Sequence, residues 1–174
     1  MGAPRFLRGR HLWLQLVLAG LFLGCASAVD AQQAIFVLRH AERVEYESPD
    51  GVLSEAGEAR ARVLARLLGD AGVTAIYISD RKRTSQTAQP LAELLHITPT
   101  VVSGQDQVEA TLRLVRAGDR DGIVVIVGHS NTVPRFLKAL GYSDEVAIGE
   151  REHDDIFVVL PLTNGRATVV RLNY

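Results

Sequence analysis

The sequence predicts an α/β fold: a single three-layer α/β/α domain with a mostly parallel central sheet and a C-terminal antiparallel hairpin. Three observations carry that expectation. Short apolar runs rich in β-branched residues recur along the chain, amphipathic segments of helical spacing lie between them, and two runs near the end flank Asn164-Gly165. Apolar runs of this length suit strands buried on both faces, as in a parallel sheet covered by helices. Asn-Gly between alternating runs is a strong hairpin signal.

Ala34 to Leu38 is the first run, Thr74 to Ile78 the second and Ile123 to Val127 the third, with Thr100 to Val102 a weaker candidate. A first helix is predicted from Ser54, because Ala56, Ala59, Val63, Leu64, Leu67, Leu68 and Ala71 share one face. Ser54 suits an N-cap, Glu55 and Glu58 suit the first turn, and Gly69 or Gly72 supplies the stop. Arg83 to Leu95 predicts a second helix, which Pro90 should bend or restart. Val108, Leu112 and Val115 mark a third, and Val133, Phe136, Leu137 and Leu140 a fourth. Asp155 to Leu162 and Arg166 to Leu172 are the hairpin strands. The alternation of strand and helix places helices on both faces of the sheet.

Residues 1–28 read as a secretory signal peptide. Arg5, Arg8 and Arg10 make a basic start, an apolar run follows from Leu12 to Gly24, and Ala26-Ser27-Ala28 supplies small residues. The apolar core is about a dozen residues, short of the roughly 20 that a membrane span needs, so no stable span is expected after cleavage. Cleavage after Ala28 or Ala31 leaves one domain over 32–174 in the periplasm or secreted. A second reading makes Cys25 a lipidated residue, although Phe22 stands where a lipobox usually carries Leu. An uncleaved N-terminal anchor is a third.

The full chain has 19 basic and 20 acidic side chains, and three of the basic ones lie in the leader, which puts the mature part near −4. A mildly acidic domain has no excess positive field for a polyanion, so nucleic acid is not an expected partner. Cys25 is the only cysteine, and cleavage after it leaves neither a disulfide nor a cysteine nucleophile.

Polar residues collect where the strands end. Arg39-His40 closes the first, Ser79-Asp80 with Arg83 closes the second, and His129-Ser130-Asn131 closes the third. Ligands of open α/β sheets bind beyond those carboxyl ends. Arginine offers a planar fork of donors for phosphate oxygens, and helix N-termini after Ser79 and His129 add backbone donors. Each piece also has a plainer reading. A lone His after a strand is commonly a packed or capping residue, and Arg81, Lys82 and Arg83 suit an exposed basic face. Ser130 fails as a nucleophile elbow, because Thr132 stands where that motif needs Gly. Neither His40 nor His129 has a neighbouring His or Cys at ligand spacing, so no metal is expected.

Taken together, Arg39-His40-Ala41-Glu42, the segment Leu53-Ser54 to Gly57, Ser79 to Ala88 and Gly128-His129-Ser130 resemble the ordered motifs of the histidine phosphatase superfamily, also called phosphoglycerate mutase-like. The resemblance runs from about Ile35 to Leu140. It implies that His40 is the nucleophile that forms a phosphohistidine, with Arg39, Arg83 and a protonated His129 holding the phosphoryl oxygens. No cofactor or metal ion is implied.

The chain departs from the mutases of that superfamily in two places. Arg43-Val44-Glu45-Tyr46 lacks their Asn, and only Ile97 to Gln107 stands where they carry a longer insertion with the acid. The acid that protonates the leaving group is therefore assigned to Asp106, with Glu109 second; Asp106 as a mere helix cap remains open beside it. The resulting expectation is a metal-independent phosphomonoesterase acting on a small phosphorylated substrate or a phosphorylated envelope component. Its alternatives are a phosphohistidine protein phosphatase and a non-catalytic binder of phosphate groups.

Overall fold

Each apolar run becomes a strand of one six-stranded sheet. The computed structural model describes residues 34–44, 50–118, 122–161 and 166–174; the leader, with Cys25, and the Asn164-Gly165 turn lie outside the described residues. The strands are β1 (Ile35–Arg39), β2 (Val73–Ile78), β3 (Thr100–Val101), β4 (Ile123–Gly128), β5 (Asp155–Pro161) and β6 (Ala167–Asn173). The helices are α1 (Glu55–Leu68), α2 (Lys82–Leu95), α3 (Gln107–Ala117) and α4 (Val133–Ala139). The sheet order is β3-β2-β4-β1-β5-β6. β1, β2, β3 and β4 run parallel, β5 pairs antiparallel with β1, and β6 pairs antiparallel with β5. The fold class expected from the sequence is the one observed.

Strand side chains alternate between the two faces, and each face has its own core. On one face Ile35, Val37, Val124, Ile126 and Phe157 pack with Val108 and Leu112 of α3 and Val133, Phe136 and Leu137 of α4. On the other, Leu38, Ile76, Val125, Val127 and Ile156 pack with Leu64 and Leu68 of α1 and Leu91 and Ala92 of α2. Fully burying a side chain of this size stabilises by about 1.5–3 kcal/mol, so the central strands are fixed on both sides. Their carboxyl ends are then fixed too.

Two local features differ from a simple reading of the pattern. α2 runs as one helix through Pro90, because the proline ring removes only the bond to Gln86 while Leu91 and Ala92 stay anchored in the core. β3 is two residues long, although Val102 still donates its N–H to the Ile78 carbonyl at 2.9 Å.

α1 clamps the segment that follows β1. Ser54 is extended (φ −77°, ψ 169°) and its hydroxyl accepts from Gly57 N at 3.2 Å. The Ser54 N–H donates to the Glu42 carbonyl at 2.9 Å. A Cβ on Gly57 would stand 2.1 Å from that carbonyl oxygen, which is backbone and cannot swing away. Gly57→Ala is therefore expected to push α1 off the Glu42 segment and to destabilise by at least the ~1–3 kcal/mol of overpacking. The thermal midpoint should fall by several degrees at roughly 2–4 °C per kcal/mol. A midpoint equal to wild type in calorimetry would show that the helix does not depend on this contact.

Candidate active site

β1, β2 and β4 end side by side, and a cavity of about 1210 Å³ opens beyond them. Its wall includes Arg39, His40, Ser79, Arg83, His129 and His153. The four residues that the motifs single out, Arg39, His40, Arg83 and His129, are thus brought together.

His40 is 3% exposed and sits just past the last residue of β1. Its Nδ1 lies 2.7 Å from the Ala41 carbonyl oxygen. A carbonyl only accepts, so the ring proton is on Nδ1 and the lone pair is on Nε2. Burial pushes the His40 pKa down to about 3, helped by His129, Arg83 and Arg39 and opposed by the Ala41 bond. The ring is neutral at pH 7, with its Nε2 lone pair not taken up by a proton.

The residues of α2 explain their own motif. Thr87, fully buried, donates to the Arg83 carbonyl at 2.7 Å and accepts from Ala41 N at 3.0 Å. Gln86 Oε1 accepts from Leu53 N at 2.9 Å. Ala88 is fully buried against the sheet. One turn of helix therefore holds Arg83 and the loop behind His40 in fixed relation.

His129 follows β4, with its ring centroid 5.3 Å from that of His40 at 62°. Its Nε2 lies 3.0 Å from Ser79 Oγ, and Arg83 Nη2 makes a long 3.5 Å approach to its Nδ1. A guanidinium cannot accept, so Nδ1 accepts and Nε2–H donates to Ser79. Burial, then Arg83, Arg81 and Arg39, hold the His129 pKa near 4. A neutral His129 departs from the charged form expected from the sequence. Burial is the largest cause and the arginines add to it; a phosphate dianion bound among them would act in the opposite direction.

Arg39 is 8% exposed and donates through Nη1 to the Gly149 carbonyl at 2.6 Å and the Glu152 carbonyl at 3.1 Å. Its Nε is buried with no hydrogen-bond partner among the described residues. An unmade buried donor costs about 1–3 kcal/mol, which an anion at that nitrogen would recover. Arg39 thus ties the segment before β5 to the site.

His153 belongs to that segment and was not singled out by the sequence. It is 8% exposed, its Nδ1 donates to the His40 carbonyl at 2.8 Å, and its ring lies 5.5 Å from the His40 ring. It stands alone between Glu152 and Asp154, and no motif marks it. Ser79 was noted only as part of a motif; its hydroxyl orients His129.

The expected acids are placed elsewhere. Asp106 occupies the N-cap position of α3 but is exposed, makes no side-chain cap bond and does not line the cavity, whose wall there is Gly104, Gln105 and Gln107. Its backbone (φ −93°, ψ 23°) is not the extended form from which a cap reaches back. Glu109 pairs on the surface with Arg135 at 3.4 Å. Among the described residues the carboxylates in the wall are Glu42, Asp80 and Glu150, and Glu42 is bound to Arg60 at 2.7 Å. Among the described residues, no group of three or more His, Cys, Asp or Glu is placed to hold a metal ion, and no helix is long and apolar enough to cross a membrane.

The sequence model of the histidine phosphatase superfamily (branch 1) matches residues 35–104, which contain Arg39, His40 and Arg83. Among curated proteins, an 8-oxo-(d)GTP phosphatase of Mycolicibacterium smegmatis is 30% identical over 118 residues, covering 61% of this chain and 37% of that protein. The chain therefore spans little more than a third of that relative's length. Among solved structures, the protein histidine phosphatase SixA complexed with tungstate has a TM-score of 0.65 at 16% identity, over 81% of this chain and 97% of that one. A mycobacterial glucosyl-3-phosphoglycerate phosphatase has a TM-score of 0.60 at 18% identity, over 81% and 98%. At these identities the structural likeness speaks for the fold alone, and the similarity to the histidine phosphatase superfamily rests on the sequence match over residues 35–104.

The bond from His153 makes it a positioning residue for His40. His153→Ala is expected to lower kcat roughly 10–100-fold with little change in KM, in line with the cost of a misplaced reacting group. His153→Asn, whose amide can donate to the same carbonyl, should restore most of the rate. Equal kinetics for wild type and the alanine variant on a nitrophenyl phosphate assay would reduce His153 to packing.

Proposed function

We propose that this chain is a phosphatase of the histidine phosphatase type that hydrolyses its substrate through a phosphohistidine on His40, without a metal ion. The observation that carries the reading is the fixed tautomer: the Ala41 carbonyl holds the Nδ1 proton, which leaves Nε2 as the nucleophile in a wall shared with Arg39, Arg83 and His129. The relative's name specifies 8-oxo-(d)GTP, and what carries over to the His40 pocket is the phosphoryl group.

In the first displacement Nε2 of His40 attacks phosphorus, the N–P bond forms and the bond to the leaving oxygen breaks. Water attacks phosphorus in the second, the N–P bond breaks and the imidazole is regenerated. Splitting the reaction this way gives two lower barriers in place of one. Positioning and electrostatics dominate phosphoryl transfer, and here Arg39 and Arg83 oppose the charge on the equatorial oxygens. Those guanidiniums supply the neutralisation that Mg²⁺ gives in other enzymes. A binding protein that only recognised phosphate would need the arginines but not a desolvated imidazole with its lone pair set free.

The basic, apolar and small-residue order of the first 28 residues supports export, so the substrate is taken to be extracytoplasmic. Fractionation with mass spectrometry of the N-terminal peptide checks this, with a periplasmic product beginning at Val29 or Gln32 expected; retention in the membrane with a mature N-terminal Cys25 would establish the lipidated form instead.

His40→Ala should remove nearly all turnover of nitrophenyl phosphate while the circular dichroism spectrum stays that of wild type. Wild-type protein quenched during turnover should carry acid-labile, base-stable phosphate, and its rate should survive chelator. Full activity in the variant would overturn the nucleophile. Loss in chelator that returns only with added metal would overturn the metal-free mechanism.

A further inference from the structure

The cavity wall carries more positive charge than one phosphoryl group uses. Beyond Arg39 and Arg83 it includes Arg43, Arg81, Arg135 and Arg151, all exposed and each from a different segment. Among the described residues, Glu42, Asp80 and Glu150 stand against these six guanidiniums, and the Glu42 carboxylate is already taken by Arg60. The whole chain is formally −1, so the positive charge is concentrated here rather than spread. At about 1210 Å³ the cavity also exceeds the ~300–1,000 Å³ that holds a drug-sized ligand.

Resting on the phosphatase reading above, we infer that the outer arginines, Arg81 and Arg135 with Arg43, form a second anion subsite that holds the leaving phosphate of a phosphoanhydride substrate such as a nucleoside diphosphate.

Three observations support the placement. Burial lowers the pKa of Arg39, Arg83 and His129 most, and Arg43 adds to it at Arg39 and Arg83 and Arg81 at Arg83 and His129. These two outer charges thus act on the inner site, while Arg135 shares the same cavity wall. Arg81 meets Asp80 at 3.7 Å and Arg135 meets Glu109 at 3.4 Å, both in half-exposed pairs of the kind that contribute little. A phosphate displaces such pairs at small cost, because its dianion and three oxygens offer more than one carboxylate does. The position of the acids points the same way. When Nε2 of His40 forms its bond to the terminal phosphorus, the bridging P–O bond breaks and its electron pair leaves on the other phosphate. That oxygen ends in a group with a second pKa of about 6 and needs no proton donor at pH 7. Asp106 outside the wall and Glu109 in a surface pair are then no handicap.

The test compares ADP with nitrophenyl phosphate as substrates of the full chain, for wild type and for Arg81→Ala, Arg135→Ala and the double variant. Wild type should favour ADP in kcat/KM. The ratio of the two kcat/KM values should fall about 10-fold or more in each single variant, the range expected for lost hydrogen bonds between charged groups. The ratio is internal to one sample, so partial misfolding does not mimic the effect. A ratio that stays at the wild-type value in the double variant overturns the subsite. Calorimetry on His40→Ala, which cannot turn over, separates the two claims. ADP binding at least 10-fold tighter than AMP supports the subsite even if the phosphohistidine is never trapped, and equal affinities sink it even if nitrophenyl phosphate is hydrolysed.

Discussion

Everything at the cavity depends on how the three residues after β1 are held. The His40 N–H donates to Gly128 of β4 and the His40 carbonyl accepts from His153. The Ala41 N–H donates to Thr87 of α2, and its carbonyl accepts from the His40 ring. The Glu42 carbonyl accepts from Ser54 at the head of α1. Apart from the Ala41 carbonyl, which the neighbouring His40 ring takes, these main-chain groups are claimed by different parts of the fold, and each would cost about 1–3 kcal/mol if left unmade in the interior. That is a strong constraint on a stretch that belongs to no regular element. It fixes the His40 ring from its backbone outward.

The second constraint is electrostatic. Three histidines sit among cations and little negative charge, and His40, His129 and His153 all have depressed pKa values, with burial the largest cause. Neutral imidazoles suit two different jobs. One needs a free lone pair, and the other needs an N–H that stays put against Ser79. The arginines keep their charge whatever happens around them, because a guanidinium is not deprotonated in proteins. The site is thus arranged as fixed positive charges around switchable but neutral rings, which favours the arrival of an anion.

Much of this was legible in the chain. Strands and helices followed from periodicity, because burial on two faces leaves a pattern of its own: Ile35 and Val37 go to one core and Leu38 to the other. Arg39, His40, Arg83 and His129 were legible because strand ends converge in an α/β sheet. What the sequence hid depends on contacts between distant residues. His153 reaches a main-chain oxygen 113 positions away, and Arg39 binds carbonyls at Gly149 and Glu152, groups that no side-chain pattern announces. Asp106 shows the converse. Its place after a strand suggested proximity, but the local backbone turns its side chain to solvent. The turn chemistry of a single residue is harder to read than the period of ten.

The segment that Arg39 pins before β5 has a consequence for how the protein acquires activity. The surroundings of His40 come from residues 40, 87, 128 and 153, and the last of these is delivered only when β5 has docked against β1. An N-terminal fragment that builds β1 to β4 has the arginines and both motif histidines but leaves the His40 carbonyl without its donor. Contacts so far apart along the chain form late, since their loop-closure entropy is offset only once the intervening structure exists. On the proposed function, turnover during refolding would report completion of the whole sheet rather than collapse of its parallel half.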